Sequence, residues 1–172
     1  ADFYDVHHYR AYQMNENLVK FGPHFANSIR YLTPSVANAY ITAGEIILDI
    51  ALLRSLNDFV DDEMSNEAMH LINRDESRHI AVDYYMADFY SSPEYVEEAG
   101  NAPRKPLSHQ LKAWWSFVNV LYHAAPFFRQ VFFKPMELTD PTGKRMLEAF
   151  KRIQLLANKS RVKTRPFIRF ML

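Results

Sequence analysis

The sequence contains no cysteine and only four glycines among its 172 residues. Without cysteine the chain can form neither disulfides nor thiolate metal sites, and a cysteine nucleophile is excluded. The scarcity of glycine, together with 15% aromatic residues, favours long helices with bulky side chains over a turn-rich β fold. We therefore predict an all-α fold, and 48% hydrophobic residues suffice for the core of a single domain.

The chain also lacks an excess of charge of either sign and a long uninterrupted apolar run. Twenty basic and twenty acidic side chains cancel, so the net charge does not favour nucleic acid as a partner. The most apolar stretches, 46–53 and 114–128, are interrupted by polar residues and are shorter than the roughly 20 residues of a membrane span. The first residues lack the basic and apolar regions of a signal peptide. We therefore expect a cytoplasmic protein without a membrane span.

Two long helices are predicted in the first half of the chain. Thr33 is a suitable N-cap and Pro34 a suitable first-turn residue for a helix over about 35–60. The acidic residues 61–63 predict the start of a second helix over about 65–90, because negative charge stabilises a helix N-terminus. The connection is short, so the two helices are expected to be antiparallel neighbours.

Turn residues and periodicity divide the rest of the chain. The predicted segments are, in chain order, a helix at 3–21 stopped by Gly22 and Pro23, a helix at 24–32, a loop at 91–106 with room for a short helical turn, a helix at 107–134 kinked or divided at Pro126, a helix at 141–159 starting at Asp140 and Pro141, and an extended basic tail at 161–172. The aromatic group of the 107–134 helix is expected in the core, or alternatively in the wall of an apolar substrate pocket. This group comprises Trp114, Trp115, Phe117, Tyr122, Phe127 and Phe128.

Glu45 interrupts the predicted apolar stripe of the first long helix. The stripe consists of residues at helical spacing, namely Ala37, Ile41, Leu48, Leu52 and Leu56. On the second long helix Glu76 and His79 stand three residues apart and therefore project from adjacent turns of one face. An antiparallel return brings Glu76 opposite Glu45. Because a buried, unpaired glutamate costs several kcal/mol, two facing glutamates indicate a cation or strong hydrogen-bond donors between them.

Each of these residues also has a simpler interpretation. Glu45 lies on the surface if the predicted stripe is rotated, and His79 alone is as readily a core histidine as a ligand. Glu76 could belong to a solvated charged face. Asp49 and Asp83 lie on the same stripes as the glutamates, where they could tune ligands, line a substrate channel or be solvated.

A second Glu-x-x-His pair, Glu67 and His70, precedes Glu76 by nine residues. At 3.6 residues per turn this pair is about half a turn out of phase. We therefore predict that it faces solvent, away from the candidate site. The other histidines lack ligand spacing and are predicted to be structural: His7, His8, His24, His109 and His123.

A Glu on one helix and a Glu-x-x-His on the next form half the ligand set of a di-iron or di-manganese carboxylate bundle. The segment 75–79, Asp-Glu-Ser-Arg-His, resembles the Asp-Glu-x-Arg-His segment of ferritin-like di-iron oxygenases such as the methane and toluene monooxygenase hydroxylases. The separation of Glu45 from Glu76 suits the p-aminobenzoate N-oxygenase branch of that superfamily. The resemblance covers about residues 37–87.

The resemblance implies a role for each matching residue. Glu45 would bridge or chelate the metal ions, Glu76 would bridge them, and His79 would bind one iron. Asp75 would accept the outer N–H of a ligand histidine from the other half of the site. Arg78 would pair with an acidic group in the surrounding shell.

The ligand set is incomplete. The N-oxygenase branch carries an additional ligand histidine one turn before the second-helix glutamate, where this chain has Ile72. The earlier Glu and Glu-x-x-His of the superfamily are also missing from the first residues of the chain. Two explanations fit: the chain is the C-terminal part of a longer polypeptide, which its start without Met favours, or a second chain completes the site.

The function that the resemblance implies is that of a di-iron oxygenase. Such an enzyme activates O2 to hydroxylate or N-oxygenate a small organic substrate, with two iron ions or a manganese–iron pair as cofactor. A ferredoxin or reductase as electron donor and a homodimeric state are expected with it. The alternatives are a ferritin-like iron-storage protein and a non-catalytic helical subunit of an oxygenase complex.

Overall fold

The computed structural model describes residues 14–172. Over this range the chain is all-α, as predicted, with seven helices and no strand. The helices are α1 (Glu16–Tyr31), α2 (Pro34–Phe59), α3 (Glu63–Phe89), α4 (Pro93–Asn101), α5 (107–139), α6 (Lys144–Ala157) and α7 (Pro166–Met171). Two of them contain a π-helical segment, Ile47–Leu53 in α2 and Arg129–Phe133 in α5.

Helix α2 is the central element of the fold. It begins at Pro34 directly after Thr33, as the capping pattern predicts. One side of α2 packs against α3, α6 and α7, and Ile46 and Ile50 are completely buried there. The side carrying Leu48 packs against an aromatic cluster of α1 and α5. The helix is therefore covered on two sides.

Because α2 is covered on two sides, its most buried residues differ from the predicted apolar stripe. The deepest positions of the helix are Ala39, Thr42, Ile46, Asp49, Ile50, Ala51 and Ser55. The predicted stripe residues from Ile41 to Leu56 are only partly buried. Ala37 is buried, and Leu48 and Leu52 pack against the hydrophobic clusters. The periodicity therefore identifies one apolar face of α2 correctly but does not show which of its two covered faces is deeper.

The length and composition of α2 would allow it to cross a membrane. Its most apolar window has a mean hydropathy of 1.5. A core helix of a soluble protein passes the same test, and α2 makes contacts with five other described helices, α1, α3, α5, α6 and α7. A membrane span is therefore not established by this helix.

Helix α1 runs through Gly22 and Pro23, where a break was predicted. Pro23 is exposed, whereas the neighbouring Phe21 is buried and stacks on Phe127 of α5 with ring centroids 4.3 Å apart. Packing along α5 thus outweighs the helix-breaking tendency of proline. Residues 3–13 of the predicted first helix lie outside the described range.

The boundaries of α3, α4 and α5 differ from the predicted ones. Helix α3 starts at Glu63, with the Asp62 carboxylate accepting the backbone N–H of Ser65 at 2.8 Å. Residues predicted as a loop contain helix α4, whose N-cap is Ser92. Helix α5 continues past Pro126, but its bonding pattern changes to a π-helix three residues later.

The C-terminal third also differs from the prediction. Helix α6 starts at Lys144 instead of 141, because the Asp140 carboxylate accepts the backbone N–H groups of Arg145 and Met146 beyond a turn. The tail is not extended: it forms a short 3-10 turn followed by α7. Val162 and Ile168 of the tail are buried against α2 and α3, which explains why it folds back.

Candidate functional site

Acidic side chains of α2 and α3 converge on the interface between these two helices. Helix α2 contributes Glu45 and Asp49, which are four residues apart and therefore share a face. Helix α3 contributes Glu76, His79 and Asp83 over two turns. Electrostatic contacts pair Glu45 with Asp83 and Asp49 with Glu76, so the two helices run antiparallel, as predicted. We call these five residues the carboxylate cluster.

Asp49 is the most deeply buried member of the carboxylate cluster, with no exposed surface. Neither carboxylate oxygen has a hydrogen-bond donor. The nearest cation is Arg54, whose Nη2 lies 3.6 Å from Oδ2 of Asp49. Burial raises the pKa of Asp49, and the Arg54 charge offsets part of this rise whereas the Glu76 charge adds to it. When ionised, Asp49 is thus incompletely compensated by its protein surroundings.

Asp83 and Glu45 form the second carboxyl pair of the cluster. Burial first, and then the neighbouring Glu45 carboxylate, raise the pKa of Asp83 from its ordinary value of 3.8 to about 7. Oε2 of Glu45 and Oδ2 of Asp83 are buried and have no donor when both groups are ionised, because two carboxylates cannot donate to each other. A protonated Asp83 hydrogen-bonds to Glu45, and Thr42 also hydrogen-bonds to Asp83. A proton or a cation between them would satisfy both oxygens.

Glu76 and His79 interact with each other at the edge of the cluster. Nδ1 of His79 lies 3.2 Å from Oε2 of Glu76, and this hydrogen bond is the main cause of the raised pKa of His79. The His79 side chain is 55% exposed, so the interpretation as a core histidine is wrong. The core position on this turn of α3 belongs to Ile80.

Asp75 and Arg78 lie outside the cluster, on the exposed side of α3. Their side chains pair with each other at 3.6 Å. Oδ2 of Asp75 is 4.0 Å from Nε2 of His79. Asp75 therefore stands beside the outer nitrogen of the candidate ligand histidine of its own helix.

A charged network on α6 adjoins the cluster. Glu148 binds Arg145 at 3.3 Å and Arg152 at 2.8 Å, and Arg145 also makes two hydrogen bonds to Asp58 of α2. The charges of Arg152 and Glu148 both act on Asp49. Because one is positive and the other negative, their effects on Asp49 oppose each other.

The register of the helices differs from the expectation by about one turn. We predicted that Glu45 faces Glu76, but the carboxyl group beside Glu45 is that of Asp83, and Glu76 acts on Asp49 instead. Glu45, Glu76 and His79 do lie near one another, since the Glu45 charge also acts on His79. The three candidate ligands thus share one region, within a larger acidic group than predicted.

Asp49 and Asp83 belong to the site together with the predicted ligands. Their spacing of four and seven residues from Glu45 and Glu76 places them on the same helix faces, and this signal was available. The sequence did not predict that Arg54 and the charged network on α6 lie beside the cluster. Contacts between segments that are distant in the chain produce no periodic pattern in the sequence. Glu67 and His70 are both exposed, which confirms that this second pair faces solvent.

The side chains of the carboxylate cluster do not form a preformed metal site. Within residues 14–172, no group of three or more His, Asp or Glu side chains is arranged to hold one ion. The cluster consists instead of pairs, Glu45 with Asp83 and Glu76 with His79. It can attract a cation through its unsatisfied oxygens, but side-chain rotations and further ligands are needed to enclose one.

A cavity of about 680 Å³ lies beside the N-terminal end of α2. Trp114 and Phe117 of the predicted aromatic group line it, together with Val36 and the basic residues Arg104 and Lys105. No residue of the carboxylate cluster contributes to its wall. The cavity is therefore separate from the cluster.

The chain was compared with models of known protein families, with curated proteins and with solved structures. None of these comparisons finds a match. The functional interpretation accordingly depends on the carboxylate cluster itself.

Proposed function

We propose that this chain binds iron at the carboxylate cluster and serves as the ligand-bearing part of a di-iron oxidoreductase that uses O2 to oxidise a small organic substrate. The observation that carries the proposal is the set of buried carboxylate oxygens without hydrogen-bond donors on Glu45, Asp49 and Asp83. In this proposal α2 and α3 are the antiparallel ligand pair of a ferritin-like bundle. A ferredoxin or reductase would supply the electrons.

The residue types of the cluster fit iron. Carboxylate and imidazole groups are ligands for iron and manganese, and Glu with Glu-x-x-His on neighbouring helices is half of a di-iron ligand set. Leaving buried ionised oxygens unpaired is costly, and a cation would remove this cost. Iron, when bound, would supply the activation of O2, which no side chain of the cluster could perform.

Each residue has a proposed task in binding. Glu45, Glu76 and His79 are the proposed ligands. Asp75, beside Nε2 of His79, would hold the imidazole in orientation, as carboxylates commonly do for ligand histidines. Arg78 would keep Asp75 in place through their ion pair. Asp83 would release a proton when a cation arrives, because metal binding requires deprotonated carboxyl groups.

Asp49 and Asp83 of the carboxylate cluster are further carboxylates within reach of a cation, and the proposal takes the rest of the ligand set from outside residues 14–172. The proposal assigns these outside ligands to sequence upstream of α1 or to a second chain. This requirement follows from the ligand count, since Glu45, Glu76 and His79 provide only half of the set that a bundle of this type uses.

Iron analysis after iron-replete expression tests the proposal. We expect bound iron in the wild type and a loss of about 10-fold or more in affinity for Glu76→Ala and for His79→Ala, because each removes a ligand. Glu67→Ala and His70→Ala are matched controls, since they change the same residue types on the solvent-facing side of α3. Negligible iron in the wild type, or equal iron in all four variants, would contradict the proposal.

O2 consumption separates an oxygenase from iron storage. An oxygenase consumes O2 in proportion to an organic substrate, whereas a storage protein consumes it only with added ferrous iron and grows a mineral core. If O2 uptake by the iron-loaded protein depends on no organic compound and mineral accumulates, the oxygenase part of the proposal fails while iron binding stands.

A further inference from the structure

Helix α5 turns one face towards α1 and the opposite face towards solvent. Phe117, Val120 and Phe127 are buried on the inner face. On the outer face seven large apolar residues each have between 50% and 75% of their surface exposed. They are Leu107, Leu111, Trp114, Trp115, Val118, Leu121 and Tyr122, and we call them the α5 stripe. The prediction that Trp114, Trp115 and Tyr122 lie in the core is therefore wrong.

The α5 stripe follows a heptad repeat. Leu107, Leu111, Trp114, Val118 and Leu121 are separated alternately by four and three residues. This 3.5-residue period is the seam along which two helices pack with knobs in holes. Trp115 and Tyr122, seven residues apart, widen the seam on one side. The five positions cover two heptads, and a second helix with the same period fits along this face.

The size and charge of the stripe suit a stable helix pair. Its seven side chains expose on the order of 800 Å², taking about 100 Å² for each aliphatic and somewhat more for each aromatic residue. This is about the area that one partner contributes to an interface of standard size. Between Leu107 and Phe128 the only Lys, Arg, Asp or Glu is Lys112, so two such faces would approach without strong repulsion.

We propose that the α5 stripe pairs with the α5 stripe of a second copy of this chain about a two-fold axis. A two-fold interface uses the same patch on both subunits and therefore requires a patch that matches itself. A heptad seam matches itself, because the second subunit presents a seam of equal length and period. The stripe shares no residue with the carboxylate cluster, so this pairing is independent of the proposed iron binding.

A membrane surface is a poorer match for the stripe. Helices that lie in the membrane interface carry Lys and Arg on their polar face. The face of α5 opposite the stripe is packed against α1 and carries buried Phe and Val instead. The helical seam therefore favours a protein partner.

Sedimentation of the purified chain tests the pairing. We expect a dimer at micromolar concentration, and a dissociation constant at least about 100-fold higher for the double variant Leu111→Glu/Val118→Glu, because four carboxylates would then face an apolar seam. Leu147→Glu/Leu155→Glu is the matched control, with the same charge change at two exposed leucines of α6. It should remain dimeric. Far-UV circular dichroism should show equal helix content in all three proteins.

Single cysteines locate the contact, because the chain has no native cysteine. Trp114 lies at the middle of the stripe, so Trp114→Cys should form a disulfide-linked dimer on oxidation whether the two helices run parallel or antiparallel. Leu155→Cys on α6 should not. Crosslinking of Leu107→Cys with itself indicates a parallel pair, whereas crosslinking of Leu107→Cys only with Leu121→Cys indicates an antiparallel pair.

Three outcomes would overturn the proposal. The first is a monomeric wild type at about 100 µM, well above the dissociation constants of stable dimers. The second is a dimer that the α6 control dissociates and the α5 variant does not. The third is a monomer that cosediments with vesicles of phosphatidylcholine and phosphatidylglycerol through the α5 stripe, which would assign the face to lipid.

Discussion

Asp49 is buried in α2 without a hydrogen-bond donor for either oxygen. In the metal-free protein its charge is therefore expected to destabilise the fold, and Arg54 at 3.6 Å compensates it only in part. We expect Asp49→Asn to raise the free energy of unfolding of the metal-free protein by about 1 kcal/mol at pH 8, since the amide has a similar volume and no charge. Urea denaturation with a chelator present measures this change.

Asp88→Asn is the matched control for Asp49→Asn. Asp88 forms an exposed ion pair with Arg161 at 3.2 Å, and exposed pairs contribute about 0–1 kcal/mol. The control should thus be neutral or slightly destabilising. A larger loss of stability for Asp49→Asn than for Asp88→Asn would show that Asp49 is satisfied by groups other than those described.

Asp83 gives the metal-free protein a defined pH dependence. Its pKa is about 7 in the folded protein, against an ordinary value of 3.8, so between these pH values the folded state binds more protons than the unfolded state. The free energy of unfolding must then fall as pH rises from 4 to 7. His79 acts in the same direction, because its raised pKa gives stability that is lost as pH rises above 6.5.

Urea denaturation between pH 5 and pH 8 tests this dependence. The carboxyl groups with lowered pKa, such as Glu148, are already ionised in this range and do not disturb the slope. Asp83→Asn should reduce the fall in stability and leave the parts due to Asp49 and His79, whose pKa values are also raised, whereas Asp88→Asn should preserve the whole fall. An identical slope in wild type and Asp83→Asn would refute the raised pKa of Asp83.

At the scale of secondary-structure elements, two glycines with different backbone conformations should respond oppositely to alanine. Gly143 precedes α6 with φ of 67°, a conformation that costs an L side chain about 1 kcal/mol. Gly44 lies inside α2 with helical geometry and free space for a Cβ, so alanine there should stabilise by about 0.5–1 kcal/mol. Thermal unfolding of Gly143→Ala and Gly44→Ala measures both. Shifts of Tm in the same direction would contradict this assignment.

The elements that could be predicted are those whose signals are local. Thr33 and Pro34 correctly indicated the start of α2, and the acidic residues before α3 indicated its start to within a few residues. The helix break predicted at Pro23 is wrong. Phe21 packs on Phe127, which belongs to a helix about 100 residues further along the chain, so the sequence around Pro23 does not reveal this contact. The π-helices could not be predicted, since bonding to the fifth residue has no simple sequence pattern.

The candidate site was predictable to a similar extent. Glu45, Glu76 and His79 were selected from spacing on two helices, and they do lie in one region. Their register, and the burial of Asp49, depend on how α2 and α3 slide and rotate against each other. That choice is made by side-chain packing with α6 and α7, which single-helix periodicity does not contain.

For the whole molecule, zero net charge coincides with many exposed apolar side chains. The sequence has an isoelectric point near 7.3, and the α5 stripe is the longest regular series among the exposed apolar residues described. Electrostatic repulsion between molecules is weakest at the isoelectric point, where apolar contacts then dominate association. Solubility should therefore depend on both features.

We expect the solubility of the wild type to be lowest near pH 7.3 and to rise at least about twofold at pH 5.5 and pH 9, as net charge increases. Leu111→Glu/Val118→Glu and Leu147→Glu/Leu155→Glu add the same charge and shift the isoelectric point equally. The α5 variant should gain more solubility at pH 7.3, because it alone interrupts the stripe. Precipitation midpoints in polyethylene glycol measure the difference. Equal gains in the two variants would show that net charge alone governs association and that the stripe contributes nothing to it.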